Sequence, residues 1–179
     1  MTQMQMGRWR WLFGAVVFGV LACQPLRGES LEAIVDVVSR KFDVREIEGD
    51  AVADSMAQGR LVLFDVRERE EFEVGHLQTA LRVDPDIGTE AFLVAYGDTL
   101  AGRMAVFYCS VGYRSSALAE RVASSSDSLR VLNLRGGIFK WYNDGREVVD
   151  STGVTDQVHP YSDFWGRLLE VREGRSGDE

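Results

Sequence analysis

Three short apolar runs constrain this chain more than any other feature: Leu61–Asp65, Met104–Cys109 and Leu129–Leu134. Each has the length of one strand, and the first two lack the polar alternation of a half-exposed strand. That is the pattern of parallel strands covered on both faces. Helical segments separate them. Ser30 is placed to cap a helix whose apolar stripe is Leu31, Ile34, Val35 and Val38. Asp50–Gln58 is a predicted helix stopped by Gly59; Glu68–Val74 ends at Gly75 and Gly137–Asn143 at Gly145. Residues 89–95 and 115–123 are further predicted helices, and residues 44–47 and 80–83 fit short strands. Strands alternating with helices imply an α/β domain with a mainly parallel sheet.

The chain has 179 residues, a length that suits one domain with additional segments. Its formal charge is −8 and its pI about 4.9. Nucleic acid is bound through basic patches that displace counterions, so an acidic balance argues against it. It also gives no general attraction to an anionic membrane surface. An anionic substrate must therefore be drawn by a local feature. Cys23 and Cys109 are the only cysteines, and His76 and His159 the only histidines. None stands at zinc-ligand spacing and two cysteines cannot form a disulfide scaffold, so no metal site is expected.

The first ten residues hold Arg8 and Arg10 and no acid, and the apolar run Trp11–Ala22 follows. A basic start and a short apolar run have the form of a secretory leader. The run is short for a span, which takes about 20 residues; a retained anchor is the alternative. Val20–Cys23 resembles a bacterial lipobox, which would make Cys23 a lipid attachment site and tether the protein to a membrane through its N-terminus. The expectation is an exported protein, periplasmic or lipid-anchored at a bacterial cell envelope, in an oxidising space.

The segment with most chemical content is Cys109–Ser115, lying between a predicted buried strand and a predicted helix. In open α/β sheets ligands bind beyond the carboxyl ends of the strands. The helix that follows aims amides and the positive end of its dipole back at the loop, and a curled loop adds amides of its own. Such surroundings favour thiolate over thiol. Gly112 permits a turn that a side chain would resist, and Arg114 brings positive charge. The plain alternative is a small buried cysteine that ends a strand.

Asp65-Val66-Arg67-Glu68, then Glu71-Phe72, Gly75-His76, the Cys109 loop and Leu134-Arg135-Gly136-Gly137 with Trp141 and Gly145 stand in an order that resembles the rhodanese family. The resemblance covers residues 44–150. It implies a single α/β domain with a five-stranded, mainly parallel sheet flanked by helices. The chain then divides into a leader at 1–28, an N-terminal helix at 29–43, the domain at 44–150 and a C-terminal helical extension and tail at 151–179.

The resemblance also implies roles. Cys109 would accept a sulfane sulfur and become a persulfide. The backbone amides of Ser110, Val111, Gly112, Tyr113, Arg114 and Ser115 would hold the terminal sulfur, and the Arg114 side chain would attract an anionic donor. Asp65 and Arg67 would be structural polar groups near the site, His76 a structural histidine, Gly136 and Gly137 backbone elements and Trp141 a core residue. No cofactor is implied. The partners would be a small sulfur-containing anion, such as thiosulfate, and a thiol acceptor. With one Arg, Val111 and Tyr113 the loop is less positive than in rhodaneses that turn over thiosulfate well, so efficient thiosulfate use is not implied. Two rival readings are a persulfide-carrying or partner-binding module without turnover, and a Cys-based phosphatase or arsenate reductase. The latter enzymes resemble rhodaneses but have one more residue between Cys and Arg.

Overall fold

A computed structural model of the protein describes residues 30–126 and 128–172. The leader, Cys23 and the charged C-terminal end lie outside the described residues. Helix α1 (Leu31–Lys41) starts at Ser30, whose Oγ accepts from the Ala33 amide at 3.3 Å. There follow β1 (Glu46–Ile47), α2 (Gly49–Ala57), β2 (Leu61–Asp65), α3 (Arg69–Val74), β3 (Leu81–Arg82) and α4 (Thr89–Tyr96). After a 3-10 turn at Asp98–Leu100 come β4 (Met104–Tyr108), α5 (Tyr113–Ser125), β5 (Val131–Leu134) and α6 (Gly137–Asn143). The chain continues through β6 (Val148–Asp150), β7 (Gly153–Thr155) and α7 (Asp163–Gly166).

The first five strands form one sheet in the order β1-β5-β4-β2-β3, and every pairing is parallel. All residues of β2 and β4 are buried, as two-sided cover requires. Their side chains alternate between two cores. Leu61, Leu63, Val106 and Tyr108 face one with Ile34, Val52, Ile138 and Trp141 from α1, α2 and α6. Val62, Phe64, Ala105 and Phe107 face the other with Phe92, Leu118 and Val122 from α4 and α5.

The segment after residue 150 differs from the expected helical extension. Its described part contains a single helical turn, α7, while Gly153–Thr155 pairs antiparallel with Val148–Asp150. Asp150 builds the turn between them by accepting from the Thr152 and Gly153 amides, and β-branched Val149, Val154 and Thr155 suit the ladder. This hairpin is tied to the main domain: the His76 amide donates to Val149 O at 2.9 Å, and the Val149 amide to His76 O at 2.8 Å.

At the carboxyl end of β2 a charged pair is fully enclosed. Arg67 donates through Nε and Nη2 to the Asp65 carboxylate at 2.8 and 2.7 Å, and through Nη2 to Gly75 O at 2.7 Å; both side chains have 0% exposure. Burial works against the Arg67 charge, but Asp65 outweighs it and the arginine pKa is raised. Nη1 has no partner among the described residues. Burial and the adjacent Asp65 carboxylate raise the Tyr108 pKa well above its ordinary value, so the phenol stays neutral and accepts from the Leu77 amide at 3.1 Å. Removing one member of a fully buried pair strands the other charge. Arg67→Ala is expected to cost about 3–5 kcal/mol of stability, read as a lowered urea midpoint with an unchanged slope.

Candidate functional site

Cys109 follows β4 directly, at the carboxyl edge of the sheet, and the next helix begins at Tyr113. Gly112 caps α5 in the left-handed region, φ +99°, a conformation that side chains resist. That turn swings the Gly112 amide back to donate to Cys109 Sγ at 3.3 Å. Ser115 closes the same turn, its Oγ donating to Gly112 O at 3.1 Å. The thirteen-residue helix α5 directs the positive end of its dipole at the sulfur.

A second clamp comes from α6. The Ile138 amide donates to Cys109 O at 2.9 Å and the Phe139 amide to Ser110 O at 3.0 Å. The backbone must come very close to do this. A Cβ on Gly137 would lie 2.3 Å from Cys109 O, and Gly137 has φ +58°. Gly137 is thus needed for a backbone approach, not only for a turn.

Arg114, in the first turn of α5, reaches back over the loop. It donates through Nη1 and Nη2 to the two Glu71 oxygens at 2.7 and 2.8 Å, and through Nη2 to Ser110 Oγ at 3.2 Å. Ser110 in turn donates to Glu71 Oε1 at 3.1 Å. Burial opposes the Arg114 charge, but Glu71 and the adjacent Cys109 sulfur outweigh it, and the pKa is raised. Burial likewise pushes the Glu71 carboxyl up, but Arg114, the Glu68 amide and Arg67 outweigh that and hold it below the usual carboxylate value. Tyr161 covers Arg114 from outside, its ring centroid 5.2 Å from the guanidinium carbon.

The residues singled out in the sequence take different places. Cys109, Ser110, Gly112, Arg114 and Ser115 converge on one recess. Val111 joins the core. Tyr113 turns away, meeting Phe42 edge-on at 5.1 Å and accepting a hydrogen bond from Lys41. Asp65 and Arg67 sit beneath the loop, since Asp65 pairs with Tyr108 in the sheet register. His76 stacks on Phe72 at 3.8 Å, and its Nδ1 meets Phe72 O at 2.9 Å. The Cys109 side chain is 1% exposed, and Gly112 supplies the hydrogen bond to its sulfur from the main chain.

Sequence reasoning passed over two members of the site. Glu71 was part of a motif with no role attached, and a carboxylate 43 positions away gives no local sign that it meets Arg114. Tyr161 lies in the tail, beyond the residues that carry the family resemblance.

With the geometry in place, comparison with known proteins assigns the family. The rhodanese-like domain family matches residues 48–144, and the chain belongs to that family. Among curated proteins none matches the chain. A Bacillus halodurans protein of known structure is 20% identical, with 68% of this chain and 87% of that chain covered and a TM-score of 0.49. A human single-domain sulfurtransferase is 25% identical, covering 54% of this chain and 93% of its own, at a TM-score of 0.44. An As-Sb reductase from Leishmania major is 17% identical, covering 56% and 77%, at 0.49.

The Glu71–Arg114 pair gives the site an acid limit. A carboxyl held below its unfolded value contributes stability that is complete above the ordinary carboxylate pKa, about 4.3, and is lost as the pH falls below that value through the lowered one. Glu71→Gln should therefore lose about 1–3 kcal/mol at neutral pH, and its thermal midpoint should fall less steeply below pH 5 than that of the wild type.

Proposed function

We propose that this protein is a sulfurtransferase that carries sulfane sulfur on Cys109. The observation that carries this reading is the convergence on one sulfur atom of the Gly112 amide at 3.3 Å, the α5 N-terminus and Arg114. These groups are placed to stabilise the negative charge that, after transfer, sits on the sulfur attached to Sγ. Only four residues separate Cys109 from Arg114, and the thiol is enclosed. A loop that short makes a small cradle, which suits one added sulfur better than a tetrahedral oxyanion.

The reaction runs in two displacements. The Cys109 thiolate attacks the outer sulfur of a sulfane donor; the new Sγ–S bond forms as the donor S–S bond breaks, and its electron pair leaves on sulfite or on a thiolate. An acceptor thiolate then attacks the terminal sulfur of the persulfide. The Sγ–S bond breaks and its pair returns to Cys109. No net oxidation occurs and no cofactor takes part.

Arg114 positions this chemistry more than it attracts substrate, because Glu71 already takes both of its outer nitrogens. A dianionic donor such as thiosulfate finds little uncompensated positive charge at the recess, whereas a singly charged persulfide needs less. The basic, apolar leader supports a further part of the proposal, that the domain works outside the cytoplasm, with Cys23 as its point of lipid attachment.

Incubation with thiosulfate or with glutathione persulfide, followed by intact-mass measurement, tests the reading. The wild type should gain the mass of one sulfur atom, removable by a thiol, and Cys109→Ser should not. Sulfur transfer by Cys109→Ser at the wild-type rate would sink the proposal. Thiosulfate should support a lower kcat/KM than the persulfide. Gly137→Ala, which forces the loop carbonyls away, should lower kcat/KM at least tenfold, about 1.4 kcal/mol, while Cys109 remains titratable in the denatured protein.

A further inference from the structure

The end of the sheet opposite Cys109 has a pattern of its own. Four adjacent strands each begin directly after an arginine: Arg45 before β1, Arg130 before β5, Arg103 before β4 and Arg60 before β2. The register sets two of them astride the start of β4. The Met104 amide donates to Arg60 O at 3.0 Å and the Ala105 amide to Arg130 O at 2.8 Å. Two strand spacings, about 10 Å, separate their backbones, close enough for both guanidiniums to meet one small ligand.

Between them lies a cleft of about 380 Å³, lined by Arg60, Arg130, Ser55, Ile47, Met104 and Leu132 together with Glu46 and Gly102. That volume is in the range of small-molecule sites, roughly 300–1,000 Å³. Its apolar part is Ile47, Met104 and Leu132. Arg67, Arg114, Arg135 and Arg146 each hold a carboxylate. Arg60 and Arg130 have no ion pair or side-chain hydrogen bond among the described residues. Ser55 is 5% exposed, and its hydroxyl likewise has no partner among them. The carboxylate at the rim does not fill the gap: Glu46 Oε2 is taken by Ser39 at 2.8 Å and Arg135 at 3.1 Å. Two unpaired arginines facing one cleft in a chain of formal charge −8 leave a local positive field that a bound anion would compensate.

We propose that the cleft between Arg60 and Arg130 binds a small oxyanion-bearing ligand, with phosphate, sulfate or carboxylate groups on a compact body. The arginines would hold the charged oxygens, the Ser55 hydroxyl would donate to one of them, and the apolar side chains would take the body of the ligand. The strands separate this site from the Cys109 recess by about 16 Å, so it does not compete for the sulfur donor, and the inference stands apart from the sulfurtransferase reading.

Calorimetric titration of the full protein with pyrophosphate, and separately with citrate, tests it. At least one should bind with a stoichiometry of one. Arg60→Ala and Arg130→Ala should each weaken it at least tenfold, about 1.4 kcal/mol. Both side chains are exposed, so the variants should keep the wild-type circular dichroism and melting point. Arg167→Ala, which removes another arginine without an ion pair among the described residues, and Cys109→Ser should leave affinity unchanged. The proposal is overturned by absence of binding for both probes at low salt, or by equal weakening in Arg167→Ala. It is also overturned if the arginines hold the protein on anionic vesicles and neither probe displaces it.

Discussion

The buried Asp65–Arg67 pair is the interaction on which the Cys109 edge of the sheet rests. Arg67 spends its contacts on the end of β2 and on the carbonyl of Gly75, at opposite ends of α3. The helix is therefore held at both ends against the sheet. One turn inside it stands Glu71, and the position of Glu71 decides where the guanidinium of Arg114 comes to rest. Arg114 in turn sets the electrostatics around Cys109. A charge pair out of contact with water thus orders, through one short helix, a second pair at the surface of the recess. Its value lies in specification more than in net stabilisation, since enclosing two charges offsets much of their attraction.

The Cys109 loop is fixed from both sides by main-chain contacts. From the front, the left-handed turn at Gly112 brings an amide to the sulfur. From behind, α6 donates amides to the carbonyls of Cys109 and Ser110 across a gap that only a glycine at 137 allows. Neither clamp depends on a mobile side chain. A persulfide formed here would be held in a frame already in place before the donor arrives, which is the condition for electrostatic stabilisation without reorganisation.

Much of this was legible in the sequence. The apolar runs of β2 and β4 identified two central strands because nothing in them could face water, and the Ser30 and glycine signals placed the helix ends within a few residues. The Cys109 loop could be assigned to the carboxyl edge because the strand before it and the helix after it were both evident. What escaped notice depends on partners distant in sequence. Glu71 meets Arg114 only after the sheet has brought α3 and α5 together. The β6–β7 hairpin rests on three-residue strands, too short for alternation to declare itself. Asn133, a polar residue inside β5 with Oδ1 unpartnered among the described residues, meets Gly112 only once β5 and the Cys109 loop lie side by side.

The tail crosses the domain at close range. A Cβ on Gly75 would fall 2.1 Å from Gln157 O, so that glycine answers to a contact with the C-terminal segment, not to a turn, since its φ of 174° is ordinary extended backbone. Trp165, Leu168 and Leu169 pack on the same core as α6, and Asn143 holds Leu168 O and the Glu170 amide. The stretch matched by the family, residues 48–144, is therefore shorter than the stretch that packs on this core. Homology and packing have different boundaries in this chain, and a fragment trimmed to the first would expose apolar surface that the second keeps dry.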